Sequence, residues 1–116
     1  MCAALPGAVA ASLMSADGLP VETHEASALA PSGEPVDLGS LMVEYSTVLG
    51  QVQRTGEVFA AGALEEISIR SQNLLTLMRP VNAEYFLALA MHPDANAGKG
   101  RYLLRIHAPR LVEDLA

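Results

Sequence analysis

The stretch DLGSLMVEYSTVLGQVQRTGEVFAAGALEEISIR, residues 37–70, decides the fold because it changes from a helical to an extended pattern. Asp37 is a residue type favoured at helix N-caps. After it, apolar side chains recur at helical spacing, within an arc of roughly 120° at about 100° per residue. They are Leu38, Leu41, Met42, Tyr45, Val48, Leu49, Val52, Phe59 and Ala63. The pattern predicts a long helix, residues 38–63, that lies on a sheet.

Three extended runs follow this helix, at residues 64–71, 74–81 and 85–91. Gly62 is a residue type that commonly ends helices. In the first run Ile67 and Ile69 alternate with polar residues, as in a strand with one wet face. The last run, YFLALAM, has no polar position, which predicts a central strand covered on both faces.

A β-hairpin is predicted before the helix. Residues 8–15 form a short apolar run, and Ala16-Asp17-Gly18 is a strong turn signal. An extended pattern resumes at residues 19–24, where Pro20 fits a strand start or an edge. Residues 25–37 have no period of either kind, which predicts a flexible loop.

The elements together predict one α+β domain over residues 1–116. Tyr102, Leu103 and Ile106 indicate a final helix, and Pro109 is a residue type that favours a first helical turn, where the helix could restart. The economical architecture is a five-stranded antiparallel sheet with the long helix between strands 2 and 3 packed on a face, followed by the C-terminal helix.

Composition excludes several functional classes. The 13 acidic and 7 basic residues give a net charge of −6, which argues against nucleic acid as a partner. No run approaches the roughly 18 apolar residues needed to span a membrane. Cys2 is the only cysteine, so no intrachain disulfide can form, and a cytoplasmic location is expected.

No catalytic, cofactor or metal site is predicted. His24, His92 and His107 lie in separate segments without a second ligand at metal spacing. Cys2 has no neighbouring base. Glu65 and Glu66 would lie on opposite faces of a strand, which does not suit paired acid and base catalysis.

The segment between the last strand and the last helix is rich in glycine and basic residues. Gly98-Lys99-Gly100 lacks the spacing of a phosphate-binding loop. Asp94 and Asn96 are expected to cap this turn and the helix that follows. Lys99, Arg101, Arg105 and Arg110 are interpreted as a solvated helix face, with a local basic binding face as the alternative.

Four segments resemble the Roadblock (dynein light chain) family. LMSADGLPV, residues 13–21, resembles the hairpin that opens its fold, and MHPDANAGKGRY, residues 91–102, resembles its strand end and entry to the last helix. Together with VEY at 43–45 and MRPV at 78–81, the chain looks closest to MglC-type proteins, relatives of the MglB co-regulators of the Ras-like GTPase MglA. The resemblance covers residues 7–108. The family's usual N-terminal helix is expected to be short or missing here.

The resemblance implies a non-catalytic scaffold that forms a homodimer and binds an MglB-like Roadblock protein, a Ras-like GTPase or a polarity protein, in cell polarity or motility. In such dimers the long helix and the following strand meet their symmetry mates. The implied dimer interface comprises Val43, Thr47, Gly50, Arg54, Glu66, Ile67, Ser68, Ile69 and Arg70.

The hairpin tip is the candidate surface for a second partner. Ala16, Asp17 and Leu19 project from a tight turn, where an apolar residue beside a carboxylate can dock with little ordering cost. The alternative is a simple turn with Leu19 tucked under the loop.

A second functional class is a small-molecule or nucleotide sensor with a pocket between the sheet and the long helix. It requires a polar group that converges on an apolar cavity, and the periodic stripe offers only Tyr45.

Overall fold

A computed structural model describes residues 7–25 and 37–115 of the chain. Two predictions lie outside these residues: the short or missing N-terminal helix and the interior of the flexible loop at 25–37. The ends of that loop are described, since Glu25 closes a strand and Asp37 caps a helix.

One antiparallel sheet and two helices make up the described chain. The elements are β1 (Ala8–Ser15), β2 (Pro20–Glu25), α1 (Leu38–Val58), β3 (Ile67–Arg70), β4 (Leu75–Pro80), β5 (Tyr85–Met91) and α2 (Ala97–Leu115). The strands lie side by side in the order β2-β1-β5-β4-β3. As predicted, β5 is central and buried on both faces, with Phe86 against one layer and Leu87 against the other.

The prediction of a sheet with five full strands is wrong, because the third predicted strand is much shorter than expected. The run at 64–71 has strand geometry only at Ile67–Arg70, so the sheet consists of four antiparallel strands of six to eight residues and a four-residue edge strand. Residues 61–66 carry the chain from the helix layer to the sheet, and Gly62 adopts φ +91°, which a strand cannot accommodate. Alternation alone did not distinguish this connection from a strand.

The predicted end of α1 also needs correction. The helix was expected to run to residue 63 but ends at Val58. Ala60 adopts a left-handed φ of 59°, and the Ala61 N–H donates to the Gly56 carbonyl at 2.8 Å, which is a common way to close a helix. Phe59 and Ala63, counted as part of the buried arc, are therefore exposed.

The start of α1 agrees with the prediction. The Ser40 backbone N–H donates to Asp37 Oδ1 at 3.1 Å, and the Ser40 hydroxyl donates to Oδ2 at 2.8 Å. These bonds, the backbone one first, lower the pKa of the Asp37 carboxyl below its usual value of 3.8. Asp37 therefore acts as the N-cap.

The core has a layer on each face of the sheet. On one face, Met42 and Leu49 of α1 pack in a cluster with Met14, Met78 and Phe86. On the other face, α2 packs against the second cluster, which contains Leu13, Leu77, Leu87, Leu89, Leu103 and Leu104. The two helices thus cover opposite faces, and the sheet edges are left for other contacts.

Candidate interaction site

The tip of the β1–β2 hairpin is fixed by a set of short hydrogen bonds. The Gly18 N–H donates to the Ser15 carbonyl at 3.0 Å, and the Leu19 N–H donates to Ser15 Oγ at 3.2 Å. The Ala16 N–H donates to the Glu84 carbonyl at 2.7 Å, which ties the tip to the β4–β5 turn. The tip is therefore held by its own turn and by a neighbouring one.

The same tip rests on α1. Gly18 is buried and adopts φ +87°, and a Cβ at this position would lie 2.9 Å from Ser46 Oγ and 3.6 Å from Val43 Cα. Ser46 is itself buried, and its hydroxyl donates to the Val43 carbonyl at 2.6 Å. Only glycine suits this turn, because both its left-handed backbone and its close approach to the helix exclude a side chain.

The predicted partner-binding residues all lie on this supported tip. Ala16 and Asp17 are exposed, and Leu19 is 66% exposed, although it is a large apolar side chain. The described structure thus presents Leu19 to solvent instead of tucking it away.

The edge strand β2 carries two features that hinder further strand pairing. Met14 pairs with Pro20 and Leu13 pairs with Glu22, so Val21 is an extra residue in a β-bulge. Pro20 lacks a backbone N–H. A bulge and a proline are both known devices that keep a sheet edge from pairing with another strand.

The opposite edge strand, β3, has neither device. It pairs with β4 without any shift in register, from Ile67 opposite Met78 to Arg70 opposite Leu75. The Ser71 N–H donates to the Leu74 carbonyl at 2.8 Å, so alternation directs the peptide groups of Ile67 and Ile69 toward β4.

The same alternation directs the peptide groups of Ser68 and Arg70 away from β4. Among the residues that the structure describes, no strand lies beyond β3. Its outward N–H and C=O groups are therefore available to a partner strand.

An apolar stripe of α1 lies on the same side of the molecule as β3. Leu41 and Tyr45 are half-buried and pack against the same cluster as Ile67 and Ile69. Val48 and Val52 continue the stripe at helical spacing but remain 39% and 37% exposed. Val52 also lines a groove with residues 61–66, which lead into β3. We call this surface the α1–β3 face, defined by Leu41, Tyr45, Val48, Val52, Ile67 and Ile69.

The structure does not bring all the predicted dimer residues together. Val43, Thr47, Gly50 and Arg54 lie about 160° around α1 from the exposed stripe, and Val43 lies against the hairpin tip. Ile67 and Ile69 instead pack against the same cluster as Leu41 and Tyr45, and Glu66 lines a groove with Val52. No observation tests the predicted interface, which stays a prediction.

The stripe was missed because Val48 and Val52 had been counted in the buried arc. The part of α1 that is buried is narrower and contains Met42, Ser46 and Leu49. Periodicity locates the apolar side of a helix but does not say which part of it the sheet covers.

Two charged residues flank the exposed edge on the α2 side. Arg101 Nε lies 3.0 Å from Glu66 Oε2 in a partly exposed ion pair. Arg70 Nη1 donates to the Pro93 carbonyl at 2.9 Å. Glu66 and Arg70 are therefore on one face of the edge, while Ile67 and Ile69 are on the other.

The described residues give little support for a metal site, a membrane-spanning helix or a pocket between α1 and the sheet. No group of three His, Cys, Asp or Glu side chains within 7–25 and 37–115 could hold a metal ion. In this part of the chain, no helix is long and apolar enough to cross a membrane. The layer between α1 and the sheet is filled by Met14, Met78 and Phe86, so the packing does not favour the alternative pocket there.

Of the two residues predicted to cap the turn before α2, Asp94 and Asn96, Asn96 makes the capping bonds. Asn96 Oδ1 accepts the Lys99 N–H at 3.0 Å, and the Gly100 N–H donates to the Asn96 carbonyl at 3.0 Å. The glycine-rich segment thus starts a helix, and the Asn96 side chain is hydrogen-bonded to the backbone of that helix.

Comparison with solved structures gives high-coverage matches. MglC from Myxococcus xanthus is 39% identical, with 97% of this chain and 91% of that chain covered and a TM-score of 0.66. A Roadblock/LC7 domain from Streptomyces avermitilis is 18% identical, with 98% and 90% covered and a TM-score of 0.81. The gliding protein MglB from Thermus thermophilus is 18% identical, with 91% and 76% covered and a TM-score of 0.76.

No family model and no curated protein matches the chain. The two structures below 25% identity establish the shared fold alone. The similarity to MglC extends over nearly the whole chain at an identity that establishes common membership. The chain therefore belongs to the Roadblock family, in which it is similar to MglC and MglB.

Proposed function

We propose that the chain is a non-catalytic regulatory subunit. It forms a homodimer, binds an MglB-like Roadblock protein and thereby modulates a Ras-like GTPase in cell polarity or motility. The observation that carries the proposal is the 39% identity to MglC across 97% of the chain. Two differently built surfaces support a role with two kinds of contact.

The homodimer uses the α1–β3 face. An exposed apolar stripe beside an unprotected strand edge combines a hydrophobic surface with a row of free peptide groups. A two-fold contact needs a surface that is complementary to itself, and antiparallel pairing of identical strands satisfies this requirement.

The hairpin tip binds the second protein. β2 lies at the opposite edge of the sheet from β3, so a dimer formed through β3 leaves both tips accessible. Asp17 and Leu19 are presented by a turn whose geometry is already fixed, which lowers the ordering cost of binding.

The effect on the GTPase is indirect. We infer that the subunit acts by ordering the partner and the GTPase's own catalytic groups, since the sequence contains no motif that marks an arginine finger.

Light scattering and co-elution test the proposal. The protein at micromolar concentration should have the mass of a dimer, and it should co-elute with a purified MglB-like protein. Hydrolysis of GTP by the cognate Ras-like GTPase should change only when this complex is present. A monomer that binds neither protein would contradict the proposal.

A pair of helix variants distinguishes loss of the dimer contact from a general effect of added surface charge. Val48→Glu combined with Val52→Glu places two charges in the stripe and should give a monomer. Gln51→Glu combined with Val58→Glu adds the same charges to exposed positions outside both the stripe and the predicted interface and should remain dimeric. Equal behaviour of the two variants would argue against the α1–β3 face.

A further inference from the structure

The outward peptide groups of β3 restrict how two copies can pair. Ser68 and Arg70 direct their N–H and C=O groups to the free edge. Glu66 lies directly before β3, and its side chain is on the same face as that of Arg70. In an antiparallel pair, hydrogen-bonded residues must face other residues of this outward set. The possible two-fold registers therefore centre on one residue between 66 and 70.

We propose that two copies pair through β3 in the register centred on Ser68, an inference that rests on the proposed homodimer. In this register Ser68 faces Ser68 of the second copy, and Glu66 faces Arg70 of the second copy. Both outward residues of β3 are then paired, and the pairing extends each strand by one residue, to Glu66. Each hydrogen-bonded pair exchanges two bonds, which gives about six bonds across the interface.

Charge distinguishes this register from its neighbours. A register centred on Glu66 would place two carboxylates opposite each other, and one centred on Arg70 would oppose two guanidinium groups. Those centred on Ile67 or Ile69 leave both charges facing uncharged residues. Opposite charges on facing residues stabilise a strand pair and like charges destabilise it.

The apolar face of the edge agrees with the same register. Ile67 then faces Ile69 of the second copy in a non-hydrogen-bonded pair, where side chains approach most closely. Both isoleucines are half-buried against the cluster on which Leu41 and Tyr45 also pack. The pairing therefore continues the apolar surface of one copy into that of the other.

The ion pair within each copy holds the Glu66 side chain on the face where it would meet Arg70 of the second copy. Arg101 Nε holds Glu66 Oε2 at 3.0 Å on the α2 side of the edge, and Arg70 is held on the same side by the Pro93 carbonyl. Pairing would place the Glu66 carboxylate between Arg101 of its own copy and Arg70 of the second. Both side chains already lie on the face where the contact forms.

Cysteine cross-linking tests the register. In a Cys2→Ser background, Ser68→Cys should form a disulfide-linked dimer on mild oxidation, because directly facing Cα atoms lie within disulfide range. Ile67→Cys and Ile69→Cys are matched controls that should not cross-link, because each is displaced by two residues from its own symmetry mate.

Charge reversal gives an independent readout. Glu66→Arg and Arg70→Glu should each dimerise roughly tenfold more weakly, because each places like charges opposite each other twice per dimer. A mixture of the two single variants should form a heterodimer, because one copy then carries two cations and the other two carboxylates at facing positions. Loss of the Glu66–Arg101 pair alone would not produce this rescue.

The outcomes separate the register from the dimer itself. A dimeric wild-type protein in which Ile67→Cys or Ile69→Cys cross-links instead of Ser68→Cys overturns the register and leaves the proposed function intact. A dimer with no rescue on mixing also overturns it. A monomeric wild-type protein overturns the dimer and the register together.

Discussion

At one edge of the sheet β2 carries Pro20 and a bulge at Val21, whereas at the other edge β3 pairs in regular register up to its last residue. The proline and the bulge hinder backbone pairing at the first edge, which presents side chains on a turn fixed by hydrogen bonds. The second is short and open and lies beside an apolar stripe of α1. The difference teaches that one small sheet can offer a contact through side chains at one edge and a contact through backbone at the other.

The largest expected effect comes from closing the open edge. Ser68→Pro removes an outward N–H without touching the ladder to β4, so the fold should persist while self-association weakens by at least about 100-fold. Sedimentation equilibrium measures the dissociation constant, and circular dichroism checks the fold. Val21→Ser at the other edge is the control and should remain dimeric. A dimeric Ser68→Pro variant would show that β3 is not the contact.

A smaller effect is expected from disturbing the support of the hairpin tip. Gly18→Ala forces a side chain into a left-handed residue and toward Ser46 Oγ, and should lower the free energy of unfolding by about 2 kcal/mol. Urea denaturation measures the change. Gly39→Ala, in the first turn of α1, is the matched control and should be neutral or stabilising. An unchanged Gly18→Ala variant would mean that the tip does not press on α1.

Changing the tip's exposed side chains should alter one contact only. Asp17→Lys combined with Leu19→Ala should weaken capture of an MglB-like protein by roughly tenfold and leave self-association unchanged. Isothermal titration calorimetry gives the first value and light scattering the second. Tyr102→Ala, which removes an exposed ring on α2, should affect neither. Unchanged capture by the double variant would remove the tip from the site.

The smallest effect is expected next to β3. Thr76 of β4 faces Ile69, and its buried hydroxyl has no hydrogen-bond partner in the described structure. Thr76→Val keeps the shape and removes an unsatisfied group, so the free energy of unfolding should rise by about 1 kcal/mol. Thermal unfolding measures it, with Thr47→Val on the surface as the control. A destabilised Thr76→Val variant would indicate that the hydroxyl is bonded after all.

Local chemistry made part of this fold predictable. The Asp37 cap, the turn at Gly18 and the buried central strand follow from a side chain, a backbone angle and an unbroken apolar run. The end of α1 could not be predicted from the sequence, because it depends on a left-handed conformation at Ala60, and alanine rarely adopts one. The length of β3 was overestimated because residues 64–66 alternate like a strand but connect two layers.

The candidate site was predictable to a similar degree. The tip residues were predicted from turn chemistry, and they lie together and exposed, while their binding to a partner stays a prediction. The exposed stripe at Val48 and Val52 was not identified, because which part of an apolar arc remains uncovered depends on the sheet beneath it. That is a property of tertiary packing, which helical spacing does not contain.

The strand order β2-β1-β5-β4-β3 sets the geometry of any larger assembly. If two copies join at β3, their hairpins stand at the far ends of one continuous sheet, roughly 40 Å apart at the usual strand spacing. Each dimer is then bivalent, and a partner with two binding surfaces of its own gains avidity only if it can span that distance. If the partner cannot span that distance, two partner molecules bind each dimer, one at each hairpin tip. Partners and dimers can then alternate along a larger assembly.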